Sequence, residues 1–314
     1  MNLHTNKIVF TDTLLIAAGQ MNIPIFFVEK DYWITLVLSR LAKSKFAAAT
    51  VFKGGTSLSK GFGLIQRFSE DVDIAIIDEN NKSGNEIKNI IRTVEKEMTM
   101  ELKELVVEGV TSKGSRFRKS VFEYESTDAK NYGNKLIVEV NSFANPFPYQ
   151  LLSIKSLAFD FLMQTKNEKI IEQYDLQPFK LNVLNKEQTL MEKLVSLIRF
   201  SFEENVAESI SKKVRHFYDL YFLMNDKECA VFINSKEFKK QFTEIVHHDK
   251  ELFDEPKGWQ TKKVSESPLL TDFETIWKQV KGIYQTELSA FAFTEIPNEK
   301  VIAKSFIKLT KMIE

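Results

Sequence analysis

The chain has one cysteine, four histidines and no net charge, and each of these removes a class of function. Cys229 alone cannot close an internal disulfide or build a cysteine-rich zinc site, which fits a reducing compartment. The histidines sit without a carboxylate or cysteine pattern around them, which argues against zinc, and His247-His248 point to different helix faces. Lys plus Arg equals Asp plus Glu at 43 each, so any nucleic-acid contact has to come from a local basic surface. There is no run of eighteen apolar residues and no signal-peptide layout, so the expectation is a soluble, cytoplasmic protein with no membrane contact. Internal repeats and low-complexity segments are also missing.

A length of 314 residues suggests roughly two domains with ample material for a core. The 26 phenylalanines imply a core filled largely by rings. Apolar spacing predicts helices over 8–20 and 26–44, separated by Pro24. A strand–turn–helix–strand unit follows over roughly 49–77. Ser83 or Asn85 is placed to cap a helix running to about Met100. Strands are predicted at Leu105–Val107, Phe117–Tyr124 and Leu136–Val140, with a turn over 128–134 and an edge strand at Pro178–Leu184. From Asn185 the pattern becomes helical. Asn185 and Gln188 resemble a capping box for a helix to about Phe202. Further helices are expected near 204–225, 235–248, 272–290 and 297–313, with a loop over 254–268. The fold class expected is α+β, with a mixed-sheet domain over 1–185 and a helical domain over 186–314.

The most informative residues are Asp71-Val72-Asp73, arriving just after Lys53-Gly54-Gly55-Thr56-Ser57. Two carboxylates two residues apart on a strand share a face, while Val72, Ile74 and Ile76 share the other. Such a pair stays ionised side by side only if a cation joins it. Glycines between a strand and a helix let backbone amides approach phosphate. Phosphate cradle and carboxylate pair together point to nucleotide chemistry. A third carboxylate is sought on a neighbouring strand. Glu139 is the first candidate because it interrupts the apolar run Leu136–Val140; Glu123 and Glu125 compete for the role.

These motifs resemble the polymerase-beta-like nucleotidyltransferases, whose mark is Gly-Gly or Gly-Ser, a helix, then Asp-x-Asp on the next strand. The run from Lys53 to Leu58 and from Arg67 to Asp73 resembles more specifically the AbiEii/AbiGii-type toxin branch. Val28-Glu29-Lys30-Asp31-Tyr32-Trp33-Ile34-Thr35, Thr189-Leu190-Met191-Glu192-Lys193-Leu194 and Arg215-His216-Phe217-Tyr218-Asp219-Leu220 match that branch in order, so the resemblance spans about 28–225. It implies a polymerase-beta-like mixed sheet with flanking helices, followed by a helical C-terminal domain. It also implies transfer of a nucleoside monophosphate from an NTP, aided by two Mg2+ ions on Asp71, Asp73 and Glu139. Gly54, Gly55, Thr56 and Ser57 would hold phosphates, Arg67 and Ser69 would face the nucleotide, and Lys193 would neutralise the triphosphate. Asp219 would orient Lys193 or contact the nucleotide. The acceptor implied is tRNA, and the partner a cognate antitoxin acting as repressor or inhibitor, in a toxin–antitoxin or phage abortive-infection pair. A small-molecule or protein acceptor, and a non-catalytic NTP-binding module, remain as alternatives.

Several of these residues also have plain structural readings. Arg67 is equally placed to pair with Glu70, Arg215 with Asp219 at i, i+4, and Glu192 with Arg199 along one helix. Lys53 and Lys60 read as surface charges. Lys212-Lys213-Val214-Arg215 and the stripe Lys300, Lys304, Lys308, Lys311 are candidate phosphate contacts or solvated helix faces.

Overall fold

A computed structural model of the chain describes residues 1–69, 71–78, 82–127 and 133–313. It divides into two compact units: Met1–Phe62 with Phe68–Leu184, and Gly63–Arg67 with Asn185–Glu314.

The first unit is built on eight strands: β1 (Thr50–Lys53), β2 (Asp71–Ile76), β3 (Lys103–Leu105), β4 (Ser112–Lys113), β5 (Phe117–Glu123), β6 (Lys135–Asn141), β7 (Tyr149–Ile154) and β8 (Phe179–Leu184). They form one mixed sheet in the order β3-β5-β6-β2-β1-β8-β7, with β4 on β5. The pairs β2–β6 and β1–β8 are parallel, and the other pairs antiparallel. The predicted edge strand near Pro178 is therefore interior: β8 lies between β1 and β7. The edge belongs to β7, a strand the sequence pattern did not reveal because it has exposed residues on both faces and only Ile154 is buried. The 128–134 turn falls largely outside the described residues.

Six helices flank this sheet: α1 (Lys7–Met21), α2 (Ile25–Lys43), α3 (Gly54–Lys60), α4 (Gly84–Met98), α5 (Leu157–Gln164) and α6 (Glu168–Gln173). Ser83 closes a capping box with Glu86 at the start of α4, satisfying backbone donors that the helix leaves open. One face of the sheet carries Phe52, Val72, Ile74, Val138 and Val140, which join Trp33, Leu36, Val37, Ile87, Ile91 and Val94 of α2 and α4 in one continuous core. Strand alternation therefore sends Val72 and Ile74 inward and leaves Asp71 and Asp73 on the opposite face.

The acids of α2 serve the fold. Glu29 accepts hydrogen bonds from Ser126 and Thr127, and Asp31 accepts from Lys60 at 2.5 Å and from the Leu157 amide at 2.7 Å. Lys60 is thus a buried ion-pair partner and not the surface charge expected, its side chain only 7% exposed.

The second unit is helical: α7 (Lys186–Phe200), α8 (Val206–Ser211), α9 (Val214–Asn225), α10 (Lys227–Ile233), α11 (Lys236–Leu252), α12 (Pro268–Thr271), α13 (Phe273–Phe291) and α14 (Glu299–Thr310). The single helix expected over 204–225 is two, α8 and α9. Asn185 precedes α7 without a side-chain cap bond, so no capping box forms there. Phe217 of α9 packs against Phe273, Trp277 and Phe306, a ring cluster joining α9, α13 and α14. No single helix among the described residues is long and apolar enough to cross a membrane.

Candidate active site

In the first unit, the sheet register lines up four ionisable side chains in one row. Lys53 of β1 pairs with Asp73 of β2, Asp73 with Glu139 of β6, and Glu139 with Lys119 of β5. Directly opposed residues share a face, so the row reads Lys–Asp–Glu–Lys across four strands. Asp71 joins the same face two residues before Asp73. Glu123 lies at the far end of that face, opposite Lys135, and ion-pairs with Lys103 at 3.1 Å. Glu125 is exposed and paired with Lys7. Of the three acids that competed for the third position, Glu139 is the one beside Asp73.

Glu139 receives Lys119 at 3.8 Å and the Asn141 side-chain amide at 3.3 Å. Burial, then Glu139, then Asp71 push the Asp73 carboxyl up to about 8, against the pull of Lys53 and Lys119. Oδ1 of Asp71 is buried and makes no hydrogen bond among the described residues. A buried carboxylate oxygen left unpaired costs free energy, and a cation there would relieve it. Among the described residues no three Asp, Glu, His or Cys side chains form a ready-made metal cage. Mg2+ does not need one: it keeps waters and takes substrate phosphate oxygens beside one or two carboxylates. The carboxylate pair Asp71 and Asp73 fits that ion, with Glu139 beside Asp73 in the sheet register.

The glycines are fitted to the carboxylates. Gly54 opens α3 at φ +79°, and a Cβ built on it would stand 2.1 Å from Oδ2 of Asp73. Gly55 is buried in the first turn of α3. The hydroxyls that follow are partly committed: Thr56 donates to the Asp71 carbonyl and Ser57 donates to the Gly54 carbonyl at 2.9 Å. They tie α3 to β2 and to its own first turn. The hydroxyl protons of Thr56 and Ser57 are thus spent within the chain. Ser69 is buried just before β2, next to Phe68, whose ring stacks on Phe27 at 3.9 Å.

The second unit holds the other motif residues in a buried ionic cluster. Asp219 of α9 is wholly buried. Arg67 forks onto it, Nε to Oδ1 at 2.8 Å and Nη2 to Oδ2 at 2.6 Å, and Lys193 Nζ of α7 lies 2.8 Å from Oδ2. Burial alone would raise this carboxyl, but Arg67 and then Lys193 outweigh it and hold Asp219 far below the usual carboxylate range. Arg67 was expected to face a nucleotide or to pair with Glu70. Its side chain is 3% exposed and forks onto Asp219; Glu70, the other partner expected, lies outside the described residues. The segment carrying Arg67 is fastened further by a bridge to Ala292 and by the Phe293 amide donating to the Gln66 carbonyl at 3.0 Å.

Two ion pairs expected along single helices are replaced by pairs between elements. Arg215 meets Glu287 of α13 at 2.9 Å, leaving Asp219 to Arg67 and Lys193. Arg199 lies 3.3 Å from Asp249 of α11, without hydrogen-bond alignment, and its guanidinium covers the Phe253 ring at 3.9 Å. His216 is held well below its ordinary pKa by burial and by Lys193 and Lys213, which keeps it neutral beside the cluster. Cys229 is buried, and burial raises its thiol.

A glycine-opened helix set against an Asp-x-Asp strand in a mixed sheet defines a nucleotidyltransferase. The family described as "Nucleotidyl transferase AbiEii toxin, Type IV TA system" matches residues 36–297, and the chain belongs to it. Its members are nucleotidyltransferase toxins of type IV toxin–antitoxin systems. Among solved structures, the chain is similar to MenT4, a nucleotidyltransferase toxin from Mycobacterium tuberculosis H37Rv. The TM-score is 0.58 at 17% identity, covering 95% of this chain and 89% of that one. An antigenic nucleotidyltransferase-like protein from Paracoccidioides brasiliensis matches at a TM-score of 0.31 and 16% identity, over 70% of this chain and 89% of that one. Among curated proteins nothing matches. The MenT4 likeness bears on fold alone.

Proposed function

We propose that the protein transfers a nucleoside monophosphate from an NTP to a hydroxyl of RNA, with tRNA as the acceptor, in a Mg2+-dependent reaction in the cytoplasm. The observation that carries this reading is the carboxylate row: Asp73 flanked by Glu139 and Asp71, its carboxyl pushed up to about 8, with a buried Asp71 oxygen beside it that has no hydrogen-bond partner among the described residues.

In the reaction, the acceptor oxygen bonds to the α-phosphorus, the bond to the β-phosphate oxygen breaks, pyrophosphate leaves and the hydroxyl proton passes to solvent. Mg2+ held by Asp71, Asp73 and Glu139 would supply charge neutralisation for the phosphates. The chain's own part is to hold those acids on one rigid sheet face. It also places the amides of Gly54 and Gly55 beside them. Lys193 is assigned to the triphosphate and Asp219 is its positioning partner, since a buried carboxylate fixes where the ammonium sits. Arg67 positions Asp219 in turn. A cognate antitoxin, repressor or inhibitor, restrains the activity.

The test is transfer of label from each of the four α-labelled NTPs, with Mg2+, into total cellular RNA. Label in a tRNA-sized band from one NTP supports the reading. Label appearing only in protein or in a small molecule assigns the acceptor there instead, and NTP binding without any transfer makes the chain a binding module.

A further inference from the structure

Helix α14 carries Lys300, Lys304 and Lys308, with Lys311 just past its end, and all four side chains are exposed. At 3.6 residues per turn these positions fall within an arc of about 80° and span about 16 Å of helix axis. The buried residues Ile302, Phe306 and Leu309 lie on the opposite side, packed into the second unit. The stripe is therefore the outermost face of the helix.

Its charge is out of keeping with the rest of the chain. Acids and bases balance overall, and other helices mix them: α4 sets Glu86 among Lys88, Arg92 and Lys96, and α11 sets Glu237, Glu244 and Glu251 among its lysines. Between residues 299 and 313 the only acid is Glu299, one step off the stripe. None of the four lysines forms an ion pair among the described residues, whereas Lys186, Lys193, Arg199 and Arg215 of the same unit all do. Like charges at i, i+4 and i, i+3 oppose helix formation. A face kept only for solubility would mix signs and avoid that penalty. An unbroken, unpaired cationic row at one-turn spacing matches instead a polyanion with regularly spaced phosphates.

We infer that the exposed face of α14 is an RNA-backbone binding surface, which holds the acceptor through its phosphates without reading sequence. The inference rests on the RNA-acceptor reading and assigns it a surface. Lysine contacts of this kind govern affinity and salt dependence and leave sequence preference alone.

The experiment is titration of 5′-fluorescein-labelled total tRNA with the full-length protein, without NTP, at several salt concentrations. The Lys300→Gln/Lys304→Gln/Lys308→Gln/Lys311→Gln variant and the single Lys304→Gln variant are run alongside wild type. The fourfold variant should bind at least about tenfold more weakly, with the slope of log K against log salt reduced by about 3, and Lys304→Gln should lose a slope of about 1. Circular dichroism and NTP binding should be unchanged, since no lysine of the stripe is in the core or the site. Wild-type affinity and slope in the fourfold variant would overturn the inference. So would a wild type with no affinity for tRNA, which would leave an acidic protein surface as the partner for α14. Binding is read apart from transfer: if tRNA binds through α14 but accepts no label, the acceptor reading fails and the surface stands.

Discussion

Gly54 and Asp73 are fitted to each other: the α-carbon of one leaves the space in which the carboxylate of the other sits. A Cβ on residue 54 would approach Oδ2 of Asp73 to 2.1 Å, and the backbone there is at φ +79°. Gly54→Ala therefore meets both a clash and a strained conformation, the latter alone worth roughly 1 kcal/mol. It should lower transfer at least about 100-fold by displacing Asp73, because misplacement of order 1 Å costs that much. Gly84→Ala, at a helix start with nothing near its Cα, should be neutral. Steady-state transfer and thermal melts of the two variants check this.

The raised Asp73 carboxyl sets a pH dependence. Below about pH 8 Asp73 holds a proton that a divalent cation must displace. Mg2+ affinity should rise about tenfold per pH unit between 6 and 8 and level off above, and Asp73→Asn should abolish the slope. The sign for stability is the reverse. A carboxyl raised in the folded state binds more protons there than when unfolded, so the cation-free protein should lose stability as pH rises from about 4 to 8. Calorimetric titration with Mg2+ and urea melts across this range measure both.

Asp219 neutralises two buried cations, so removing it and removing one partner are not equivalent. Asp219→Asn strands Arg67 and Lys193 together and should cost about 3–5 kcal/mol. Lys193→Ala leaves the Arg67 fork intact and should cost less, about 1–3 kcal/mol. It should weaken NTP use while Mg2+ binding persists. The depressed Asp219 carboxyl contributes stability that is fully present above about pH 4 and lost only under strong acid. Urea unfolding of each variant and of the double mutant gives the coupling.

Ser83→Ala breaks the capping box of α4 and should cost about 1 kcal/mol without changing transfer. It serves as the stability control for the variants above.

Local pattern made much of this fold legible. Alternation at Asp71–Ile74 and helical spacing in α1 sufficed to place those elements, because each buries one clear face, whereas α2 is buried on all sides from Phe27 to Ser39 and is marked by its length and by Pro24 before it. β7 was invisible for the opposite reason: at the sheet edge, with exposed residues on both faces, it has no face to mark. The short helices α5, α6 and α10 are too brief for periodicity to show. In the site, an acid interrupting an apolar strand singled out Glu139, but only sheet register places it beside Asp73. Arg67 shows the limit most clearly. Its fork closes on Asp219, a residue 152 positions away. Nothing local encodes that choice; it follows from Gly63–Arg67 packing with the second unit. Arg215 pairs with Glu287 and Arg199 with Asp249, each on another helix and not along its own, which spacing within one helix does not reveal.

The central claim is that the Asp71, Asp73 and Glu139 row carries the chemistry. Its most direct test is transfer from α-labelled NTP by wild type and by Asp71→Ala/Asp73→Ala, with circular dichroism to confirm folding. Neither side chain belongs to the apolar core, so the double variant should fold normally and transfer nothing. A folded double variant that still moves label to the acceptor would contradict the account.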